Sequence, residues 1–139
     1  MRPVNIRSIP FCGYSMYPAL RPGDTLIVKK VNGKGGDIKL GDIVCFSQEE
    51  SYTAHRVINI IENEKDLTVT TKGDNMTSPD TPRILNGDGI LKVVMIKRGG
   101  SDLIKPGFGR IHACLSSSNL TFGIVKGWIG RGLKRFIIR

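Results

Sequence analysis

Glycine and proline divide this chain into short segments. The sequence has 17 glycines and 7 prolines spread along 139 residues. None of the apolar runs between them reaches the length of about 18 residues that a membrane helix needs. Five runs rich in β-branched residues occupy 24–31, 43–47, 52–61, 67–72 and 89–98. Short runs of this kind, bounded by turn residues, predict a mainly β fold of antiparallel strands.

The segments around these runs differ in character. Residues 1–12 are mixed and predict an extended lead-in, whereas 73–86 are dense in Gly, Asp, Asn, Ser and Pro and predict a loop. From Phe122 onward, apolar residues recur at helical spacing, with basic residues largely on another face. We therefore expect a β domain over 1–119 and a basic amphipathic helix within 120–139, either packed on that domain or peripheral to it.

The net charge of the chain is +9, and much of it lies in the tail. The last 20 residues contain no acidic residue and five basic ones, namely Lys126, Arg131, Lys134, Arg135 and Arg139. A basic tail interleaved with apolar residues favours contact with an anionic membrane or an acidic partner, and we expect no nucleic-acid partner.

The cysteines and the N-terminal residues give information on the cellular compartment of the protein. Cys12, Cys45 and Cys114 are odd in number and lack C-x-x-C spacing, so we expect buried free thiols and neither a disulfide framework nor a zinc site. No metal or cofactor is expected. The first seven residues lack the apolar core of an export signal. The expected location is cytoplasmic or peripheral to a membrane, without a transmembrane helix.

Ser15 lies in a loop with an unusual setting. Gly13 precedes it by two residues, and Pro18 and Pro22 stiffen the chain that follows. The turn Arg21-Pro22-Gly23-Asp24 then leads into the first apolar run. Taken alone, Ser15 could be an ordinary turn serine. A hydroxyl held on a stiff loop before a strand is also well placed to act as a nucleophile.

A nucleophilic serine needs a base and a group that orients that base. His55 lies in a strand-like run and shares a face with Val57, whereas Arg56 points away. Asp74 and Asp80 flank a loop rich in Gly, Asn and Pro. Either carboxylate could orient His55, although histidines in strands are often structural and loop aspartates often bind turn amides.

Four short motifs carry a resemblance to a known family. They are Ser15-Met16-x-Pro18 with Pro22-Gly23-Asp24, Gly41-Asp42-Ile43-Val44, His55-Arg56-Val57, and Lys72-Gly73-Asp74-Asn75 with Asp80. Their content, order and spacing resemble those of the type I signal peptidases, which share an antiparallel β fold with LexA-like serine peptidases. A histidine before the Arg-Val pair is similar to the archaeal and endoplasmic-reticulum branch, whereas bacterial members have lysine there.

The resemblance implies a serine endopeptidase that cleaves an extended peptide, with small residues near the scissile bond. By that resemblance Ser15 is the nucleophile, His55 the general base, Asp80 the third member and Asp74 a supporting carboxylate. We expect no N-terminal membrane anchor, which would be a departure from the family. The chain also has Gly13 where many bacterial members have a serine, so the oxyanion hole would use backbone amides, including that of Ser15.

Two other functions are compatible with the sequence. A LexA-like repressor would share the Ser-Met-x-Pro loop, but that branch uses a lysine base and needs a preceding DNA-binding domain. Only 14 residues precede Ser15. The other alternative is a non-catalytic β-rich module that binds a membrane or an acidic partner through its cationic tail. Loss of liposome binding on truncation near Asn119, with no peptide hydrolysis, would favour that alternative.

Overall fold

The computed structural model describes residues 5–31, 36–85, 89–100 and 102–106. They form eight β-strands: β1 Ile6–Pro10, β2 Thr25–Lys30, β3 Ile43–Gln48, β4 Ser51–Glu62, β5 Leu67–Lys72, β6 Arg83–Leu85, β7 Ile90–Arg98 and β8 Asp102–Ile104. All pairings are antiparallel, in the order β1-β2-β7-β3-β4-β5-β6, and β8 also pairs with β7. The prediction of a mainly β antiparallel fold is confirmed.

The five predicted strands correspond to β2, β3, β4, β5 and β7. The other three strands were not predicted from the sequence. The lead-in contains β1, an exposed edge strand that ends at Pro10 and has β2 as its one partner among the described strands. The predicted loop over 73–86 contains β6, and β8 is a further three-residue strand. Short edge strands bury few side chains, so they lack the apolar periodicity by which strands are recognised.

The sheet buries apolar side chains on both faces. Cys45 and Ala54 belong to one core cluster, whereas Val44, Phe46 and Val57 belong to the other. Successive residues of a strand point to opposite faces, so β3 and β4 are buried on both sides where they pair. Two-sided burial explains the near-continuous apolar sequence of β3. It also makes the centre of β4 a rigid support for any side chain that it carries.

The cysteine prediction holds for one of the two cysteines in the described residues. Cys45 is a buried free thiol, and burial raises its pKa to about 12. Cys12 is free but exposed, so the prediction that it is buried is wrong. It follows β1 at the start of the surface loop that carries Ser15, where the neighbouring residue Phe11 packs against the core instead.

Two backbone hydrogen bonds and one ion pair close the loop between β1 and β2. The Phe11 amide donates to the Asp24 carbonyl at 2.8 Å, and the Gly23 amide donates to the Phe11 carbonyl at 2.9 Å. Gly23 has φ 91°, a conformation that favours glycine in the Pro22-Gly23 turn. Arg98 of β7 donates two hydrogen bonds to the Asp24 carboxylate, at 2.8 and 2.7 Å.

Asp24 is only 2% exposed, yet it is held in its ionised form. Burial opposes ionisation, but the hydrogen bonds from Arg98 and from the Arg21 amide, with the nearby positive charges, lower the pKa of Asp24 overall. Arg98 also donates to the Ala19 carbonyl at 3.1 Å. One arginine therefore ties both the middle and the end of the loop to β7.

The described residues contain strands and turns but no helix, and none of their segments could cross the hydrophobic layer of a membrane as a helix. The amphipathic helix predicted within 120–139 lies outside the residues that the structure describes, as do Cys114 and His112.

We expect Asp24→Asn to lower the free energy of unfolding by about 2 kcal/mol at neutral pH, because Arg98 loses its charged partner. Pairing lowers the pKa of Asp24 in the folded chain relative to the unfolded chain. Its stabilisation is therefore present above about pH 5 and is lost as the pH falls through the folded-state pKa. Urea denaturation of both proteins across this range measures the difference.

The control is Asp37→Asn, which removes the exposed pair with Lys29, and this variant should change stability little. A difference between wild type and Asp24→Asn that stays constant down to pH 3 would contradict the ion-pair assignment.

Candidate active site

The loop before β2 presents Ser15 at the protein surface. Met16 and Leu20 are fully buried in the core, and the Leu20 amide donates to the Met16 carbonyl at 3.0 Å. These two side chains anchor a tight turn. Ser15 is half-buried and is followed directly by the anchor residue Met16. Its position is therefore set by core packing as well as by the loop.

His55 lies near the middle of β4, opposite Val44 of β3, and is 8% exposed. Its Nδ1 lies 2.6 Å from Oδ2 of Asp80. An ionised carboxylate can only accept hydrogen bonds, so Nδ1 carries the proton and donates it. The lone pair of the neutral ring is then on Nε2. A histidine held in this way by a carboxylate is oriented to accept a proton at Nε2.

Asp80 is held in place by Thr71, at the end of β5. The Thr71 hydroxyl donates to Asp80 Oδ2 at 2.6 Å, and the Asp80 amide donates to the Thr71 carbonyl at 2.8 Å. The side chain of Asp80 is 29% exposed, so it lies at the margin of the site. The loop between Thr71 and Asp80 is thus closed at its base by two hydrogen bonds.

This loop also contacts the backbone around Ser15. The Asn75 amide donates to the Ser15 carbonyl at 2.8 Å, and the Asn75 side-chain amide donates to the Tyr14 carbonyl at 3.3 Å. The Asp74 amide contacts the sulfur of Met16 at 3.4 Å. These contacts join two loops that are about 60 residues apart in sequence, and they place the Ser15 backbone beside the loop that carries Asp80.

Gly73 lies where the serine loop and His55 meet. A Cβ atom at this position would lie 2.6 Å from the Ser15 carbonyl oxygen and 3.2 Å from His55 Nε2. It would also lie 2.6 Å from Cγ of Met76. Ser15 and the proton-accepting nitrogen of His55 therefore flank the same point, and only glycine leaves room for both.

Ser15 and His55 both lie in the part of the chain that the structure describes, and no hydrogen bond joins the Ser15 hydroxyl to His55 Nε2. Hydrogen bonds of this kind are often long or absent in unliganded active sites and form when the substrate is bound. The structure brings the Ser15 backbone close to His55 Nε2 and places a carboxylate at His55 Nδ1. A serine nucleophile requires a base and an orienting group of these kinds.

Asp74 contacts a different partner. Its carboxylate accepts two hydrogen bonds from Arg56, at 2.8 and 2.7 Å, and both side chains are almost completely buried. Arg56 also donates to the Gly41 carbonyl at 2.8 Å. Of the two candidate carboxylates, Asp80 therefore contacts His55, and Asp74 binds the arginine on the opposite face of β4.

A comparison with protein families identifies the family of this chain. The family model for signal peptidase, peptidase S26, matches residues 1–89, which is more than half of the chain. The chain belongs to the signal peptidase family. The matched region includes Ser15, His55, Asp74 and Asp80. No curated protein and no solved structure gave a significant match.

In this signal peptidase family member, Lys72 is a further buried charge beside the site. In the strand register, Lys72 of β5 lies opposite Arg56 of β4, and its side chain has no exposed surface. Burial lowers the pKa of Lys72, and the negative charge of Asp74 opposes that effect. Asp74 therefore lies close to two buried cations, which explains why a carboxylate is needed there even though it does not contact His55.

The sequence interpretation assigned no role to three residues that shape the site: Arg56, Thr71 and Gly73. Arg56 and Gly73 were part of the family motifs but had no stated partner. Thr71 lies on the same face of the sheet as His55 because it pairs with Val57, and this register is seen only in the structure. Among the described residues, no group of three or more His, Cys, Asp or Glu side chains could hold a metal ion.

We expect Gly73→Ala to destabilise the protein by about 1–3 kcal/mol, because the added methyl group overlaps the Ser15 carbonyl oxygen. Met76 is exposed enough to move aside, but the Ser15 carbonyl is held by the Asn75 amide. Adding Met76→Ala should therefore restore little of the lost stability. Chemical denaturation of the single and double variants measures both effects.

Gly36→Ala is the matched control, since a Cβ atom there meets nothing within 4 Å. It should be neutral or slightly stabilising. Equal stability of Gly73→Ala and Gly36→Ala would contradict the close approach at Gly73.

Proposed function

We propose that this member of the signal peptidase family is a serine endopeptidase in which Ser15 is the nucleophile, His55 the general base and Asp80 the residue that orients His55. The observation that carries the proposal is the His55 Nδ1–Asp80 Oδ2 contact of 2.6 Å, with Nε2 on the side of Ser15. This contact keeps the proton on Nδ1, so Nε2 can accept a proton from the Ser15 hydroxyl.

In the proposed mechanism, the Ser15 hydroxyl attacks the carbonyl carbon of the scissile peptide bond while His55 Nε2 accepts its proton. The resulting imidazolium is stabilised by Asp80 through Nδ1. His55 then donates the proton to the leaving amine as the bond breaks and the acyl-enzyme forms. A water molecule, deprotonated by His55, hydrolyses this ester and regenerates Ser15.

The negative charge that develops on the substrate oxygen needs hydrogen-bond donors. Gly13 has no side chain to supply one, so we assign this role to backbone amides, including that of Ser15. Asp74 has a supporting role in this scheme. Its pairing with Arg56 holds the loop that carries Asn75 against the Ser15 carbonyl.

We assign the chain to the archaeal and endoplasmic-reticulum type of signal peptidase, because His55 precedes the Arg56-Val57 pair. The substrate class that follows is an extended segment of a precursor peptide with small residues before the scissile bond. Tyr14, Tyr17 and Met76 are exposed around Ser15, and the two tyrosine rings lie 6.4 Å apart. Apolar groups at this position suit the apolar side chains of such a precursor.

We expect Ser15→Ala and His55→Ala each to reduce kcat/KM by at least about a thousandfold, with folding unchanged. The assay is cleavage of a fluorogenic peptide with small residues before the scissile bond. Ser8→Ala, on the exposed strand β1, is the matched serine control and should retain activity. Full activity in either site variant would contradict the assignment.

A serine-directed acylating probe tests the chemistry without a known substrate. The adduct should map to Ser15 and should be absent in His55→Ala. Asp80→Asn should label slowly, since the wrong histidine tautomer would predominate. Asp74→Asn should act mainly by lowering stability, because it leaves the buried Arg56 without its charged partner. Labelling at a different serine would contradict the proposal.

A further inference from the structure

Asp80 Oδ2 accepts two short hydrogen bonds, from His55 Nδ1 and from the Thr71 hydroxyl, each of 2.6 Å. We propose that Thr71 is a positioning residue that sets both the orientation and the proton affinity of His55 through Asp80. This inference rests on the proposed function for its catalytic consequence, but the contact itself does not depend on that function.

The positional part of the inference follows from where Asp80 lies. It ends a loop, its side chain is 29% exposed, and the terminal torsion of an aspartate is broad. The backbone bond from the Asp80 amide to the Thr71 carbonyl fixes the main chain only. The Thr71 hydroxyl adds a second attachment at the carboxylate, so Oδ2 stays directed at the histidine ring.

Thr71 is suited to this task by its own environment. It is 2% exposed and belongs to β5, where it pairs with Val57 of the strand that carries His55. A β-branched side chain in a strand has few accessible rotamers. The hydroxyl is therefore held by the same sheet that holds His55, so the geometry of the three groups is set by rigid elements.

The electrostatic part concerns competition for one oxygen. The ionised carboxylate is an acceptor only, so the Thr71 hydroxyl must donate to it. That bond draws charge from Oδ2 and weakens its attraction for the proton on His55 Nδ1. Thr71 thus limits the stabilisation that Asp80 gives to the imidazolium.

Within the part of the chain that the structure describes, Asp80 is the charged side chain that contacts the His55 ring. The nearby groups from β3, the serine loop and the turn after β5 are Val44, Ser15 and Gly73, none of which carries a side-chain charge. The charged residues Arg56, Lys72 and Asp74 lie toward the other face of β4 and β5. A change at the Asp80 carboxylate should therefore change the proton affinity of the His55 ring directly.

The test compares Thr71→Val, which removes the hydroxyl at nearly constant shape, with Thr71→Ser, which keeps it. Thr70→Val is the matched control, since Thr70 is the preceding residue of β5, half-buried and directed to the other face. Two quantities are measured for each full-length variant: the titration of the His55 ring by NMR and the kinetics of peptide cleavage. The chain has two histidines, so the resonance that disappears in His55→Asn identifies His55.

In Thr71→Val the backbone bond from the Asp80 amide to the Thr71 carbonyl still holds Asp80 beside the ring. We therefore expect the midpoint of the His55 titration to rise by about 0.5–1 pH unit, because Oδ2 no longer shares its charge with the hydroxyl. The midpoint of the acid limb of the kcat/KM profile should move to higher pH with it. We also expect kcat to fall about tenfold with little change in KM. Thr71→Ser should restore both quantities, and Thr70→Val should change neither.

An unchanged or lowered midpoint in Thr71→Val would overturn the inference, as would a loss of activity that Thr71→Ser fails to restore. The NMR readout separates this inference from the proposed function. A raised midpoint in a chain that cleaves no peptide would support the control of His55 by Thr71 and contradict the peptidase proposal alone.

Discussion

The buried pair of Arg56 and Asp74 is the interaction on which the candidate site depends. Arg56 has no exposed surface, so its charge must be balanced inside the protein. Asp74 supplies that balance with two hydrogen bonds, and the Gly41 carbonyl accepts a third. The next residue, Asn75, then reaches the Ser15 carbonyl. A charge pair that does not contact His55 thereby holds the two loops of the site together.

Strand β4 divides two tasks between its faces. His55 and Arg56 are neighbours in sequence but point to opposite sides of the sheet. One short loop serves both, because Asp74 at its start binds Arg56 and Asp80 at its end binds His55. A similar arginine–aspartate pair, Arg98 with Asp24, secures the serine loop. Each loop of the proposed peptidase site is thus attached to a strand by a bidentate ion pair.

Much of this organisation could be predicted from the sequence, as the five longer strands and the family motifs show. The exposed edge strands β1, β6 and β8 could not, since they bury too little apolar surface to leave a periodic signal. The exposure of Cys12 was missed for a related reason. Whether a residue at the base of a surface loop faces the core depends on packing, which composition does not record.

Local chemistry and strand period are properties of the sequence alone. They sufficed to single out Ser15 and His55, to place Arg56 on the face opposite His55, and to indicate the family. Tertiary structure decided the partners. His55 and Asp80 are 25 residues apart, and the Thr71 hydroxyl and the close approach at Gly73 belong to the same cluster. These contacts arise from loop closure and strand register, and a loop has no sequence period from which the direction of its side chains could be read.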